Sequence, residues 1–202
     1  MRKIILISLV AVFSLLIISC GGPSRSVSRV SSDKLVDLSG RWNDSDSRLV
    51  AEQMIRDVVS RPWLTDFTSK HSRKPYVIVG TVRNLSSEHI ETGTFIKDIE
   101  RELINSGQVK FVASSSERQE IREERSEQQM YASEDTAKRL AAEKGADFML
   151  KGSIKTETDA IEGKSVRFYQ VDLELINVET NEKVWIGSKE IKKLISQKNY
   201  KW

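Results

Sequence analysis

Residues able to perform chemistry are scarce in this chain of 202 residues. It contains two histidines, His71 and His89, and a single cysteine, Cys20. Neither histidine lies in an H-E-x-x-H metal motif, and no serine lies in a G-x-S-x-G nucleophile motif. The 29 acidic residues are spread along polar segments and do not form pairs in apolar surroundings, where a carboxyl pKa would shift toward catalysis. We therefore predict a protein that is not an enzyme and that has no metal site, no cofactor and no small-molecule substrate.

The cysteine follows a segment that is typical of a secretory signal. Arg2 and Lys3 precede a 15-residue run, residues 4–18, that is apolar except for two serines. A membrane-spanning helix needs about 20 apolar residues, so a permanent transmembrane anchor is the weaker alternative. Because Cys20 follows Ile-Ile-Ser and precedes two glycines, the segment resembles a bacterial lipobox, which implies acylation of the cysteine thiol. The alternative is a cysteine that lies by chance near an ordinary cleavage site.

The predicted organisation divides the chain into a signal peptide over residues 1–19, a serine-rich flexible tether over residues 20–34 and a globular domain over residues 35–202. Removal of the signal lowers the formal net charge from +3 to +1. A nucleic-acid partner is therefore not expected, because such proteins carry a basic surface. Acyl chains on Cys20 would anchor the protein to a membrane, since each buried CH₂ contributes about 0.8 kcal/mol.

Periodicity predicts the elements of the N-terminal half of the domain. A short strand is expected over residues 35–42, followed by a helix that is capped by Ser45 or Asp46 and ends at Pro62. A continuous apolar run predicts a central strand over residues 76–82. A second helix over residues 94–106 and a short strand over residues 109–113 follow. The apolar side of the first helix is formed by Leu49, Val50, Met54, Ile55, Val58 and Val59.

The C-terminal half is predicted to contain a helix over residues 133–144 and then three strands. The strands contain the alternating segments 148–154, 169–175 and 184–191. Gly163-Lys164-Ser165 has the ending of a phosphate-binding loop, but Thr158 stands where that motif requires glycine, so we predict a hairpin turn. The fold class is α+β, with a mixed sheet that ends in an antiparallel three-strand meander and with helices packed on it.

A charged segment over residues 117–127 favours a helix by its composition but contains one apolar residue, Ile121. On a helix its glutamates gather on one side and its arginines on the other. One interpretation is a solvated surface helix, and the other is an electrostatic docking surface for a protein partner. The residues of this candidate partner surface are Glu117, Glu120, Glu124, Arg118, Arg122 and Arg125.

Four stretches resemble one family of envelope proteins. They are DLSGRWNDSD at residues 37–46, PYVIVGTVRN at 75–84, INSG at 104–107 and GADFMLKGSI at 145–154. Together with the lipobox they resemble the LpoB-type lipoproteins, which activate penicillin-binding proteins. The last stretch is also similar to the N-terminal domain of TolB and to the curli secretion lipoprotein.

The resemblance implies a TolB N-terminal-like domain on an outer-membrane lipoprotein that faces the periplasm. The domain would bind a bifunctional peptidoglycan synthase, a penicillin-binding protein, and regulate cell-wall synthesis without an active site of its own. Gly21 after the cysteine resembles the pattern of lipoproteins that are forwarded to the outer membrane. The tether of about 15 residues, which reaches roughly 50 Å, is much shorter than the Pro-rich tether of the best-studied relatives. The alternative is an envelope assembly or secretion lipoprotein with a related domain.

Overall fold

The computed structural model describes residues 26–31, 34–131 and 145–196. The chain divides into two units, Met1–Lys34 and Leu35–Trp202, and all the elements below belong to the second. The described elements are α1 (Asp44–Val59), α2 (Pro62–His71), β1 (Tyr76–Asn84), α3 (Thr92–Asn105), β2 (Lys110–Phe111), α4 (Ser115–Tyr131), β3 (Phe148–Ile161), β4 (Lys164–Asn177) and β5 (Lys183–Ser196). Cys20 and the helix predicted over residues 133–144 lie outside the described residues.

The five strands form one mixed sheet in the order β2-β1-β3-β4-β5. Strand β1 pairs in parallel with β2 and β3, whereas β3, β4 and β5 form an antiparallel meander. The predicted fold class, α+β with a mixed sheet and a C-terminal meander, is confirmed. The turn at Glu162-Gly163 joins β3 to β4, with Gly163 at φ +72°, so the Gly-Lys-Ser tripeptide is a hairpin turn as predicted.

The core lies between the sheet and helices α1 and α3. Phe95, Ile99 and Leu103 on α3 are at most 2% exposed, as their spacing predicts. Alternate residues of β4 face these helices and are equally buried: Tyr169, Val171, Leu173 and Leu175. Full burial of one such apolar side chain contributes about 1.5–3 kcal/mol. On α1 the predicted apolar side is buried except for Leu49, which is exposed, and Val59, which is partly buried.

The predicted N-cap of α1 is wrong. The helix is capped by Asn43, whose side-chain oxygen accepts hydrogen bonds from the backbone N–H groups of Ser45 and Asp46. The Asp46 carboxylate in turn accepts from the Asn43 N–H at 3.0 Å, which completes a capping box. Asn43 is therefore the cap instead of Ser45 or Asp46, because only this spacing closes both hydrogen bonds.

Pro62 does not merely end the first helix. It is the first residue of a separate helix, α2, which was not predicted from the sequence. Proline is tolerated at this position because its missing N–H would have no partner inside the helix. Trp63 packs edge-on against Phe148, and its indole N–H donates to the Val58 carbonyl at 2.6 Å. These contacts join α2 to the end of α1 and to the sheet.

The strand predicted over residues 35–42 is also wrong. Residues 36–43 form a bent segment, here called the N-terminal strap, that contains no strand. Gly40 has φ +66°, and a Cβ at this position would lie 2.5 Å from the Ile195 side chain. Only glycine satisfies both requirements, so the chain turns here instead of extending.

A buried lysine on β5 holds the strap and the start of α1. The Lys193 side chain is 8% exposed, and its ammonium group donates hydrogen bonds to the carboxylates of Asp46, at 2.6 Å, and Asp37, at 2.5 Å. It also donates to the Arg41 carbonyl at 3.1 Å. Burial raises the pKa of Asp46, and the hydrogen bond from Lys193 opposes that shift. Three separate parts of the chain thus meet at one charge.

A second buried contact lies beside the first. The Tyr169 hydroxyl lies 2.9 Å from a Glu88 carboxylate oxygen and 3.2 Å from the Gly40 carbonyl oxygen, and both can accept its proton. Burial and the Glu88 carboxylate raise the pKa of Tyr169. The Trp42 indole packs edge-on against the rings of Tyr169 and Phe95, at centroid distances of 5.6 and 6.0 Å. The strap therefore closes the end of the core.

We expect Lys193→Ala to destabilise the domain by about 3–5 kcal/mol, because it leaves the buried Asp46 carboxylate without its cation. Lys192→Ala is the matched control, since Lys192 is exposed on the opposite face of β5 and its loss should change stability by less than about 0.5 kcal/mol. Urea denaturation monitored by Trp fluorescence measures both free energies of unfolding. Equal effects of the two substitutions would contradict this role of Lys193.

Candidate partner-binding site

The charged segment forms helix α4, and its start is capped by a residue of the predicted partner surface. The Glu117 carboxylate accepts hydrogen bonds from the backbone N–H and the hydroxyl of Ser114, at 2.8 and 2.7 Å. The Glu117 N–H donates back to the Ser114 hydroxyl at 3.4 Å. This is a capping box, so Glu117 is used to begin the helix.

Glu117 also joins α4 to α3. Its carboxylate lies 2.8 Å from the Lys97 ammonium group, which pairs with Glu100 at 2.7 Å. The hydrogen bonds from Lys97 and Ser114 lower the pKa of Glu117 to about 2. Since the side chains of Lys97 and Glu117 are 63% and 43% exposed, this ion pair positions the helix and adds little stability.

The two charged sides of α4 differ in their exposure. Glu120, Glu124 and Arg122 are exposed, whereas Arg118 and Arg125 are half-buried. No residue of α4 whose side chain the structure describes belongs to the hydrophobic core. Gln128 donates a hydrogen bond to Glu124 at 2.7 Å, a contact within the helix. The glutamate side is thus the more exposed of the two charged sides of α4.

A second charged surface was not predicted from the sequence. A groove of about 650 Å³ lies between the strap and the tip of the β3–β4 hairpin. Its charged lining residues are Arg41, Lys164 and Arg167, and among the described residues no carboxylate lines it. Arg167 pairs with Glu88 at 3.0 Å. Nothing local in the sequence indicates this groove, because its walls are distant in the chain and meet only in the fold.

The two histidines lie apart from these surfaces. His71 ends α2, where its ring stacks on Phe67 at 4.3 Å. It lines a cleft of about 460 Å³ with aromatic walls that include Trp63 and Phe148. His89 is exposed in the loop after β1. Among the residues that the structure describes, no group of three His, Cys, Asp or Glu side chains could hold a metal ion.

None of the described helices combines the length and apolarity needed to cross a membrane.

Solved structures provide one comparison. The C-terminal domain of LpoB from Escherichia coli matches at 17% identity, covering 73% of this chain and 99% of that chain, with a TM-score of 0.46. The same domain from Salmonella enterica matches at 16% identity, covering 65% and 94%, with a TM-score of 0.37. Lipoprotein GNA1162 from Neisseria meningitidis matches at 16% identity, covering 62% and 87%, with a TM-score of 0.38.

Comparison of sequences identifies the family. No curated protein sequence matches the chain. The family model for the peptidoglycan-synthase activator LpoB, however, matches residues 46–191, from the first turn of α1 into β5. This match spans most of the chain and confirms the resemblance seen in its sequence motifs. The chain therefore belongs to the family of the peptidoglycan-synthase activator LpoB.

Proposed function

We propose that this protein binds a bifunctional peptidoglycan synthase, a penicillin-binding protein, and activates it from an anchor in the outer membrane. The observation that carries the proposal is the family match over residues 46–191, which includes the core-forming residues of α1, α3 and the sheet. In this role the protein supplies a binding surface and leaves catalysis to the synthase.

The anchor in this proposal is the acylated Cys20, and the domain faces the periplasm. The tether of residues 20–34 reaches roughly 50 Å when fully extended and much less as a random coil. The domain therefore works near its own membrane. The synthase must bring its docking domain within that distance.

The glutamate side of α4 is the surface that we assign to the synthase. It is exposed, it belongs to a helix whose start is held by Glu117, and its residues can change without loss of core packing. A row of like charges on a positioned helix favours a partner surface of opposite charge. Such complementarity raises the association rate and selects the partner.

We expect the double substitution Glu120→Arg/Glu124→Arg to weaken binding to the synthase by roughly tenfold, because attraction becomes repulsion at both positions. The readouts are the dissociation constant and the rate of glycan polymerisation by the purified synthase with the added protein. The matched control is Glu179→Arg/Glu190→Arg, which makes the same charge change at two exposed positions outside α4.

Three outcomes would contradict parts of this proposal. Equal dissociation constants for the α4 variant and the wild type would exclude α4 as the docking surface. Failure of the wild-type protein to stimulate any synthase of its own cell would exclude the activator role. Recovery of a pore-forming assembly and no synthase from cross-linked cells would favour a secretion-associated lipoprotein instead.

We expect Cys20→Ser to abolish incorporation of labelled palmitate and to release the protein from the membrane fraction, because serine provides no thiol for acylation. Ser19→Ala is the control, since it keeps the thiol and a small residue before it. Cell fractionation and palmitate labelling measure the result. Persistent labelling of the Cys20→Ser protein would rule out Cys20 as the lipidation site.

A further inference from the structure

Strand β3 extends beyond the end of β1, the strand that pairs with one of its two edges. The register of β1 with β3 ends at Asn84 and Ile154, and the last contact is a hydrogen bond of 2.8 Å from the Leu85 N–H to the Ile154 carbonyl. Strand β3 continues to Ile161, paired with β4 throughout. Among the described residues no strand pairs with this remaining edge. Beyond Ile154, β3 therefore has one edge without a strand partner in the described part of the chain, here called the free edge.

The backbone N–H and C=O groups of successive residues in a strand point alternately to its two edges, which identifies the groups that point to this edge. Because the Ile154 carbonyl points toward β1, the N–H and C=O groups of Thr156, Thr158 and Ala160 point to the same side. Thr156 is half-buried, whereas Thr158 and Ala160 are exposed. The groups of these two exposed residues are the free donors and acceptors of an edge that another strand can pair with.

Two acidic residues on the outer face of β3 indicate the kind of strand that would pair with this edge. Glu157 and Asp159 are exposed on the outer face of β3, opposite Phe168 and Val166 of β4. Neither carboxylate takes part in a hydrogen bond or ion pair among the residues that the structure describes. Like charges on directly opposite strands are unfavourable, so pairing of this edge with the same edge of a second copy is opposed. Lysine or arginine on an added strand would be favourable at these positions.

We propose that the free edge of β3 binds an extended segment of a partner protein as an additional strand. The segment carries lysine or arginine at alternate positions, beside Glu157 and Asp159. Its intervening residues are uncharged and small or β-branched, because they lie beside Thr158 and Ala160 on the inner face, where Arg167 is paired opposite Thr158 and the basic groove begins. Backbone hydrogen bonds supply the affinity and the alternate side chains supply the specificity. This site is separate from α4 and does not depend on activation of a synthase.

The test uses the purified full-length protein and a fluorescent heptapeptide, Thr-Lys-Val-Lys-Thr-Lys-Val, with binding followed by anisotropy. Thr158→Pro removes an N–H from the free edge without removing a hydrogen bond between β3 and β4. We expect it to weaken binding by about tenfold. Thr158→Val is the matched control, because it keeps the N–H and the branched side chain, and it should bind the peptide as the wild type does.

Charge is tested separately with Glu157→Gln/Asp159→Asn, which should weaken binding several-fold and remove the loss of affinity that the wild type shows when salt is added. The same peptide with glutamate in place of lysine should not bind. Equal binding by the Thr158→Pro and wild-type proteins would overturn the proposal.

Two further measurements apply if Thr158→Pro does not fold or if the protein forms a dimer. If Thr158→Pro does not fold, a peptide with N-methylated backbone at alternate residues replaces it, and undiminished binding of that peptide would also overturn the proposal. A dimer that forms through Thr158 and binds no peptide would assign the edge to a second copy instead.

Discussion

One buried cation determines how the N-terminal part of the domain meets the sheet. Lys193 lies on the last strand, and its ammonium group can be accommodated in the interior only if carboxylates and carbonyls surround it. Asp46 supplies one carboxylate from the first turn of α1, and Asp37 supplies another from the strap. The start of α1, the path of the strap and the position of β5 are therefore mutually dependent. Displacement of α1 or of β5 separates Lys193 from Asp46 and leaves a buried charge without its partner.

Packing of the core follows from that arrangement. With its first turn held against β5, α1 directs its apolar side toward the sheet, and α3 covers the rest of the same face. Trp42 closes the gap between the strap and the rings of Phe95 and Tyr169. The motif at residues 37–46, which carries part of the family resemblance, thus has a structural explanation. Its Asp37, Gly40 and Trp42 each make a contact that positions the strap.

The surfaces available for recognition lie outside this core. Helix α4 is attached to α3 through Glu117, and none of its described side chains belongs to the hydrophobic core, so its composition is free to serve solubility or binding. The far half of the meander extends beyond β1, and no strand within residues 34–131 or 145–196 pairs with the edge of β3 there. A family of synthase activators needs such surfaces, because the effect of an activator on its partner depends on where and how tightly it binds.

Elements with a strong internal pattern could be predicted from the sequence. The apolar spacing of α3, the alternation along β4 and the turn at Gly163 each report a local environment, and local environments repeat with the period of the element. The candidate surface on α4 could likewise be located as a charged helix. The predictions failed where a contact with another residue decided the outcome. Asn43 caps α1 because the Asp46 carboxylate accepts a hydrogen bond from the Asn43 backbone N–H. Pro62 begins a helix that is held by the packing of Trp63 against Phe148 of the sheet.

The sequence by itself determined the fold class, the helices α1, α3 and α4, the meander and the family. Only the tertiary structure decided that Lys193 is buried beside Asp37 and Asp46, which lie 156 and 147 residues away in the chain. It also decided that β3 outlasts its pairing with β1. The physical reason is that periodicity records which side of an element faces the core. Periodicity does not record which distant residue contacts that side, or where the pairing of a strand with its neighbour ends. Both depend on the length and register of elements that only the folded chain brings together.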